Sequence, residues 1–271
     1  MPELPEVEVT RRGLVPHLLG RRVARLVVRQ PMLRWPIPDS LGRRLRGRGF
    51  VDLSRRGKYL IAGLAPSGHL LLHLGMSGSL RIVPADAPAG PHDHVDMVLD
   101  DGHALRLRDP RRFGCLLWTD DPASHPLLAK LGVEPLSPGF DARWLYEMTR
   151  GRHAAVKTVL MDSHLIAGVG NIYANEALFR AGIHPARPAG RIGLARLGKL
   201  VIAVRETLEA AIDAGGSTLR DFTDSMGRPG YFQQQYLVYG RGGLPCVVCG
   251  KPIASMRQTG RATFYCPSCQ R

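Results

Sequence analysis

Between residues 21 and 118 apolar and polar positions alternate in short runs separated by Gly and Pro. Arg22 to Val28, Tyr59 to Leu64, His69 to Leu74 and Ser79 to Val83 are examples. A period of two in runs this short predicts strands of an antiparallel sheet. Met97 to Leu99 and Ala104 to Arg108 flank Asp-Asp-Gly-His, and Asp101-Gly102 between two such runs is a strong hairpin signal. From Ala142 to Ala214 the spacing becomes helical, most clearly where Leu197, Val201, Val204, Leu208 and Ile212 share one face. Residues 132 to 141, with two Pro and two Gly and no period, read as a linker. No internal repeat and no low-complexity tract interrupts this order. The chain therefore reads as sheet, linker, helices and a small C-terminal element, and its 271 residues suit two domains.

Composition removes several classes. Apolar residues at 44%, charged at 22% and aromatics at 6% describe an ordinary globular protein, outside the disordered, collagenous and fibrous types. The longest apolar stretch, Tyr59 to Met76, is broken by Gly and His, and nothing reaches the roughly 18 apolar residues that span a bilayer, so no membrane partner is expected. The opening Met-Pro-Glu-Leu-Pro-Glu-Val-Glu is acidic and broken by Pro where a secretory signal is basic and then apolar, which predicts a cytoplasmic protein.

Charge then points to a partner class. Lys plus Arg number 37 against 23 acids, a formal charge of +14, which predicts a polyanion and nucleic acid first. Residues 11 to 56 hold thirteen Arg against Asp39 and Asp52, and residues 225 to 271 hold five Arg and Lys251 with no acid. Isolated charges usually only solvate a surface, but two acid-poor segments favour phosphate binding. Only five of the 37 cations are Lys, which makes each Lys worth inspection.

The C-terminal element carries Cys246-x2-Cys249 and Cys266-x2-Cys269 with sixteen residues between the pairs, a four-cysteine zinc spacing. Four thiolates complete a tetrahedron and leave no open position, so one structural Zn²⁺ is expected, holding a hairpin with strands at about Ile253 to Arg257 and Arg261 to Tyr265. Two disulfides are the alternative, disfavoured by a reducing compartment. Cys115 reads as a core thiol. The hairpin tip Gln258-Thr259-Gly260-Arg261 presents an Arg on a metal-held loop.

At the other end, trimming of Met1 makes Pro2 a terminal secondary amine. A terminal amine has a reference pKa of about 7.7–8.0, so an appreciable neutral fraction is available to attack a sugar aldehyde carbon. Glu3, next in the chain, is a candidate to supply a proton. On these residues alone, helix initiation is the favoured account of the segment: Pro5 at the first helical position, with Glu6 and Glu8 in the first turn.

Taken together, Pro2-Glu3-Leu4-Pro5-Glu6-Val7-Glu8, His73-Leu74-Gly75-Met76-Ser77-Gly78, Asp109-Pro110-Arg111-Arg112-Phe113-Gly114, Gly168-Val169-Gly170-Asn171-Ile172-Tyr173 and the cysteine hairpin Gln258 to Cys269 resemble the formamidopyrimidine-DNA glycosylases, bacterial enzymes of 8-oxoguanine repair. The resemblance runs from residue 2 to the last Cys. It implies an α+β protein with an N-terminal antiparallel β-sandwich and flanking helix over 2–131, a linker over 132–141, a helix-two-turn-helix DNA-binding domain over 142–240, and a zinc finger over 241–271. It implies a monomer acting on damaged double-stranded DNA, with a flipped purine excised and the strand nicked by β,δ-elimination.

By the same resemblance Pro2 is the nucleophile at C1′ and Glu3 the proton donor that opens the sugar ring. Lys58 matches the proton donor of β-elimination, although in its Arg run it otherwise reads as one more phosphate cation; Arg261 matches the residue of δ-elimination, with phosphate binding as its minimum role. Met76, Arg111 and Phe113 match the residues that fill the gap left by the flipped base, with core packing as the bland reading of Met76 and Phe113. His92, Arg152, Lys157 and Asn171 match DNA contacts. Asn171 also opens a helix after Gly-Val-Gly, where unpaired backbone N–H groups favour an anion. Residues 216 to 232 match the loop that holds the extruded base, but not residue by residue.

Two competing readings remain. An endonuclease VIII-like enzyme for oxidised pyrimidines shares the nucleophile and finger, but Leu4 stands where that relative typically has Gly. A noncatalytic zinc-ribbon DNA-binding protein explains the charge and cysteines and leaves Pro2 and Glu3 unexplained.

Overall fold

The computed structural model describes residues 2–216 and 236–271. All of the base-holding segment except Gly216 falls outside the described residues. Two compact units divide at Ala129 and Lys130, the second taking in Lys130–Asp213 and the C-terminal residues.

The first unit opens with helix α1 (Leu4–Leu18), followed by β1 (Val23–Val28), the short α2 (Leu41–Leu45), and strands β2 (Gly49–Arg56), β3 (Tyr59–Ala65), β4 (His69–His73), β5 (Ser79–Pro84), β6 (Asp93–Leu99), β7 (His103–Arg108) and β8 (Cys115–Thr119). They form two antiparallel four-stranded sheets, ordered β1-β6-β7-β5 and β2-β3-β4-β8. The alternation read from the sequence is what lets each sheet turn one face inward. Phe50, Leu60, Leu70 and Leu116 from one sheet meet Val23, Met97, Leu105 and Leu107 from the other, with Val7, Leu14 and Leu18 of α1, in a single core. This is a β-sandwich. The Asp101-Gly102 turn joins β6 to β7 as the sequence predicts, with the His103 amide donating to the Asp101 carboxylate at 3.1 Å.

An ion-pair cluster fixes α1 against β2. Glu8 accepts from Arg11 (2.8 and 3.0 Å), Arg12 (3.0 Å) and Arg55 of β2 (3.2 Å), and Arg11 also donates to the Leu53 carbonyl at 3.2 Å. Burial raises the Glu8 carboxyl, but the hydrogen bonds from Arg11 and Arg12 and the charges of Arg11 and Arg55 outweigh it and lower it from 4.5 to about 2. A carboxyl depressed by folding contributes its full stability above its ordinary value and loses it as pH falls towards the folded value. Thermal melts are therefore expected to show Glu8→Gln less stable than the parent near neutrality, with the two curves converging as pH falls from 4.5 to about 2. Parallel curves across that window would contradict this.

The second unit is helical, with α3 (Ala142–Thr149), α4 (Val156–Leu160), α5 (Asn171–Arg180) and α6 (Leu194–Asp213) ahead of a hairpin of β9 (Ala254–Gln258) and β10 (Arg261–Tyr265). The α6 face read from the sequence is buried, Leu197, Val201, Val204, Leu208 and Ile212 all facing inward with Leu200 and Ala211. Asp141 caps α3 by accepting from the Trp144 amide at 2.8 Å. Residues 132 to 141 have no regular element, yet they are docked: the Val133 amide donates to the Leu165 carbonyl, Phe140 is fully buried, and Arg205 donates to the Ser137 and Phe140 carbonyls at 2.6 and 2.8 Å. Among the described residues no helix is long and apolar enough to cross a membrane.

Candidate functional site

In the first unit the site is built outward from the start of α1. Glu3 is the N-cap, and its amide donates to Glu6 at 2.8 Å while its own carboxylate takes the Glu6 amide, a reciprocal capping box. Leu4 is the first helical residue and Pro5 the second, one place later than the sequence suggests. The first four amides of a helix have no intrahelical acceptor, so Pro costs nothing at either position. Pro2 and Glu3 are buried, Glu3 to 2% exposure. The helix-initiation reading of this segment therefore holds in the structure, with the reciprocal cap fixing the Glu3 carboxylate.

Lys58 occupies the two-residue turn between β2 and β3, where Arg56 pairs with Tyr59. Gly57 precedes it with φ +56°, a conformation that L side chains rarely adopt, which explains Gly at this point of the turn. The Arg55 guanidinium holds the Gly57 carbonyl at 3.0 Å and joins the turn to the Glu8 cluster on α1. His73, at the end of β4, packs against Tyr59 with ring centres 4.7 Å apart and the rings tilted by 49°. Burial, with the charges of Lys58 and Arg34, lowers His73 from 6.5 to about 4, so the ring is neutral near pH 7 and its Nδ1 accepts the Gly75 amide at 2.9 Å.

Met76 and Phe113 stand on two loops, exposed to 38% and 42%. Core packing, the bland reading of both, is therefore set aside. The Arg111 guanidinium lies 5.0 Å over the Phe113 ring. His92 is half-buried, its carbonyl accepting the Asp109 amide at 3.0 Å. Cys115 is buried, and burial pushes its thiol up to about 12, which fits the core role read from the sequence.

In the second unit Lys157 is 2% exposed, and its ammonium donates to the Ala262 carbonyl at 3.1 Å and the Thr263 hydroxyl at 2.6 Å. Asn171, the first residue of α5, donates to the same Ala262 carbonyl at 3.0 Å. Two residues matched to DNA contacts therefore converge on the strand that begins with Arg261. Arg152 and Arg261, both exposed, line one cleft of about 310 Å³ with Thr158, Asp162 and Thr259.

Two further residues of α5 escape the sequence reading. Asn175 is fully buried and accepts the Phe264 amide at 2.8 Å. Glu176, also fully buried, accepts three consecutive amides, Leu237, Val238 and Tyr239, at 2.9, 3.0 and 2.8 Å. Burial pushes the Glu176 carboxyl up while those amides pull it down. The only sign in the sequence is an Asn-Glu pair flanked by apolar residues in the middle of the helix.

The metal centre follows the cysteine spacing. The four sulfurs lie within 4.8 Å of one another, with Cys246 to Cys269 at 3.9 Å and Cys249 to Cys266 at 3.5 Å. A tetrahedron with zinc–sulfur bonds of about 2.3 Å places sulfurs roughly 3.8 Å apart, so the set fits one Zn²⁺ and none of its pairs is a disulfide. Phe179, Val238, Ile253, Cys246 and Cys266 pack together beneath it.

Comparison with known proteins accounts for nearly the whole chain. Residues 1–116 match the family described as formamidopyrimidine-DNA glycosylase N-terminal domain, 131–223 its H2TH domain, and 243–271 the zinc finger found in FPG and IleRS. The curated formamidopyrimidine-DNA glycosylase of Aromatoleum aromaticum is 59% identical over all of both chains. Among solved structures, the MutM (Fpg) protein of Thermus thermophilus is 41% identical with a TM-score of 0.89, covering 99% of this chain and 98% of its own. A Lactococcus lactis Fpg mutant, solved with a Fapy-dG-containing DNA, is 34% identical over the full length of both with a TM-score of 0.93. The wild-type Lactococcus protein has also been solved with an oxidised-pyrimidine DNA, at 34% identity over both whole chains and a TM-score of 0.92.

Proposed function

The chain belongs to the formamidopyrimidine-DNA glycosylase family, and from that premise we propose that it excises oxidised purines, 8-oxoguanine and formamidopyrimidines, from duplex DNA and nicks the strand by β,δ-elimination. The observation that carries this reading is the start of α1, where a reciprocal cap holds a buried Glu3 next to Pro2. The Pro2 nitrogen bonds to C1′ as the glycosidic bond to the damaged base breaks. Glu3 protonates the ring oxygen as the sugar opens to an iminium. Loss of the C2′ proton to water then expels the 3′-phosphate, which takes a proton from Lys58, and loss of the C4′ proton to water in a second elimination expels the 5′-phosphate, which Arg261 grips. The C1′ of a nucleotide stacked in the duplex is out of reach of Pro2, so the nucleotide must first be extruded. Met76 and Phe113 enter the gap and Arg111 faces the orphaned cytosine, compensating part of an unstacking cost of a few kcal/mol. His92, Arg152 and Asn171 serve phosphate and sugar, Lys157 acts on the DNA through the strand it holds at Ala262 and Thr263, and one structural zinc holds the hairpin behind Arg261. The enzyme works as a monomer in the bacterial cytoplasm, on the nucleoid.

Borohydride trapping of untagged protein tests the substrate class. Duplexes carrying 8-oxoguanine, a formamidopyrimidine and an oxidised pyrimidine are compared side by side. The adduct is expected to be strongest on the two purine lesions. A stronger adduct on the pyrimidine assigns the chain to the endonuclease VIII type of preference, and DNA binding with no adduct on any lesion leaves a zinc-dependent binding protein.

A further inference from the structure

Two apolar side chains held out in water need a reason to stay there. Met76 and Phe113 are 38% and 42% exposed on separate loops, between β4 and β5 and between β7 and β8.

Both loops are fixed by Asp109, whose side chain is completely buried. One carboxylate oxygen accepts the Gly114 amide at 2.8 Å, next to Phe113. The other accepts from the Ser77 hydroxyl at 3.4 Å, next to Met76. The Asp109 carbonyl accepts the Arg112 amide at 3.1 Å and His94 Nε2 at 2.8 Å, and its amide donates to the His92 carbonyl at 3.0 Å. These bonds hold Arg112 at φ +56°, a left-handed conformation that a non-glycine residue seldom keeps without support. The loops also touch backbone to backbone. A Cβ on Gly75, which itself has φ +65°, would lie 2.4 Å from the Phe113 carbonyl carbon and 2.5 Å from the Gly114 nitrogen.

We propose that Asp109 is a positioning residue for lesion recognition: its carboxylate locks the Met76 loop and the Arg111–Phe113 loop into one preformed wedge. The wedge enters the gap left by the extruded base without either loop having to be ordered at that moment, which is where preorganisation saves free energy. The inference rests on the reading of Met76, Arg111 and Phe113 as gap-filling residues. Asp109 itself touches no reacting atom.

The test uses the full-length, untagged protein and two substrates. One is an 8-oxoguanine:cytosine duplex with 2-aminopurine beside the lesion, whose fluorescence rises on unstacking. The other is a single-stranded oligonucleotide with an abasic site, trapped with borohydride, which has no stack to open and no gap to fill. Asp109→Ala is expected to slow cleavage of the duplex about tenfold or more and to blunt the fluorescence rise. Its trapping on the single strand is expected to stay within about twofold of the parent. Asp109→Asn is expected to recover most of the duplex activity, because its amide oxygen can accept from Gly114 while its amide nitrogen donates to the Ser77 hydroxyl.

Parental duplex cleavage by Asp109→Ala overturns the proposal, and so does equal loss on both substrates or an Asn variant no better than Ala. If Asp109→Ala does not fold, Ser77→Ala decides: it is expected to lose duplex cleavage alone, and unchanged cleavage overturns the proposal. Phe113→Ala separates this inference from the reading beneath it. A slow Phe113→Ala beside a fast Asp109→Ala sinks only the inference, whereas a Phe113→Ala that cleaves the duplex like the parent sinks the gap-filling reading itself.

Discussion

Replacing Pro2 by Gly is expected to cut the borohydride-trapped adduct on 8-oxoguanine duplex on the order of a hundredfold while duplex affinity changes only a few-fold. The variant still ends in an amine, so the loss has to come from geometry and from the kind of amine. The pyrrolidine ring ties the nitrogen to its own side chain and restricts where its lone pair points, whereas a terminal glycine amine turns freely about its N–Cα bond. A misplacement of about 1 Å at a reacting atom is enough for a loss of this size. A secondary amine also gives an iminium with no N–H to lose, a permanent cation that draws electrons through both eliminations. A primary amine gives an imine that must be protonated to do the same. A retained N-terminal tag makes the Pro2 nitrogen an amide and is expected to abolish the adduct altogether. Gel shift after trapping measures the adduct, and fluorescence anisotropy on the same duplex measures binding. An adduct of parental intensity in both forms would move the nucleophile elsewhere, with Lys58 the first amine to examine.

Some of this is open to reading from the sequence and some is not, and the dividing line is the distance along the chain over which a residue finds its partner. Strands β1, β3, β4 and β5, the Asp101-Gly102 hairpin, the buried face of α6 and the cysteine pairs are local patterns, and each appears within a residue or two of where the pattern puts it. Residues 132 to 141 show the converse. Their lack of period reads as a linker, but their backbone bonds go to Ser163, Leu165 and the Arg205 side chain, which no local pattern encodes. Glu176 finds its amides 61 to 63 residues away and Lys157 finds Ala262 105 residues away. The sequence offers Lys157 only as a DNA contact, and its buried ammonium supports the Arg261 hairpin. Asp109 is the same kind of case, invisible as a loop anchor until its bonds to Ser77 and Gly114 are seen. At the start of α1 the pattern is again local, and the helix begins one residue before Pro5.

Loss of the zinc is expected to disable the enzyme on duplex DNA without destroying the N-terminal unit. A two-stranded hairpin is marginally stable by itself, so β9 and β10 depend on the metal and on what they pack against. Structural zinc supplies about 10–16 kcal/mol in isolated fingers, far more than the small apolar cluster of Phe179, Val238 and Ile253 can contribute. Cys266→Ser removes a fully buried ligand. It is expected to leave the protein without its one equivalent of zinc and to free the hairpin, so that Arg261 no longer has a fixed position. One charge-assisted contact is worth about 1.5–3 kcal/mol, so duplex affinity is expected to fall about tenfold or more, with nicking falling at least as far. The sandwich keeps its own core, and circular dichroism should retain its β signal. Cobalt exchanged for zinc distinguishes holding from catalysis. With four thiolates the site has no position for water or substrate, so the cobalt form is expected to bind and nick duplex within a few-fold of the zinc form. A cobalt form that binds normally but does not cleave would place the metal in the chemistry, and a zinc-free Cys266→Ser protein that nicks at the parental rate would remove the hairpin from it.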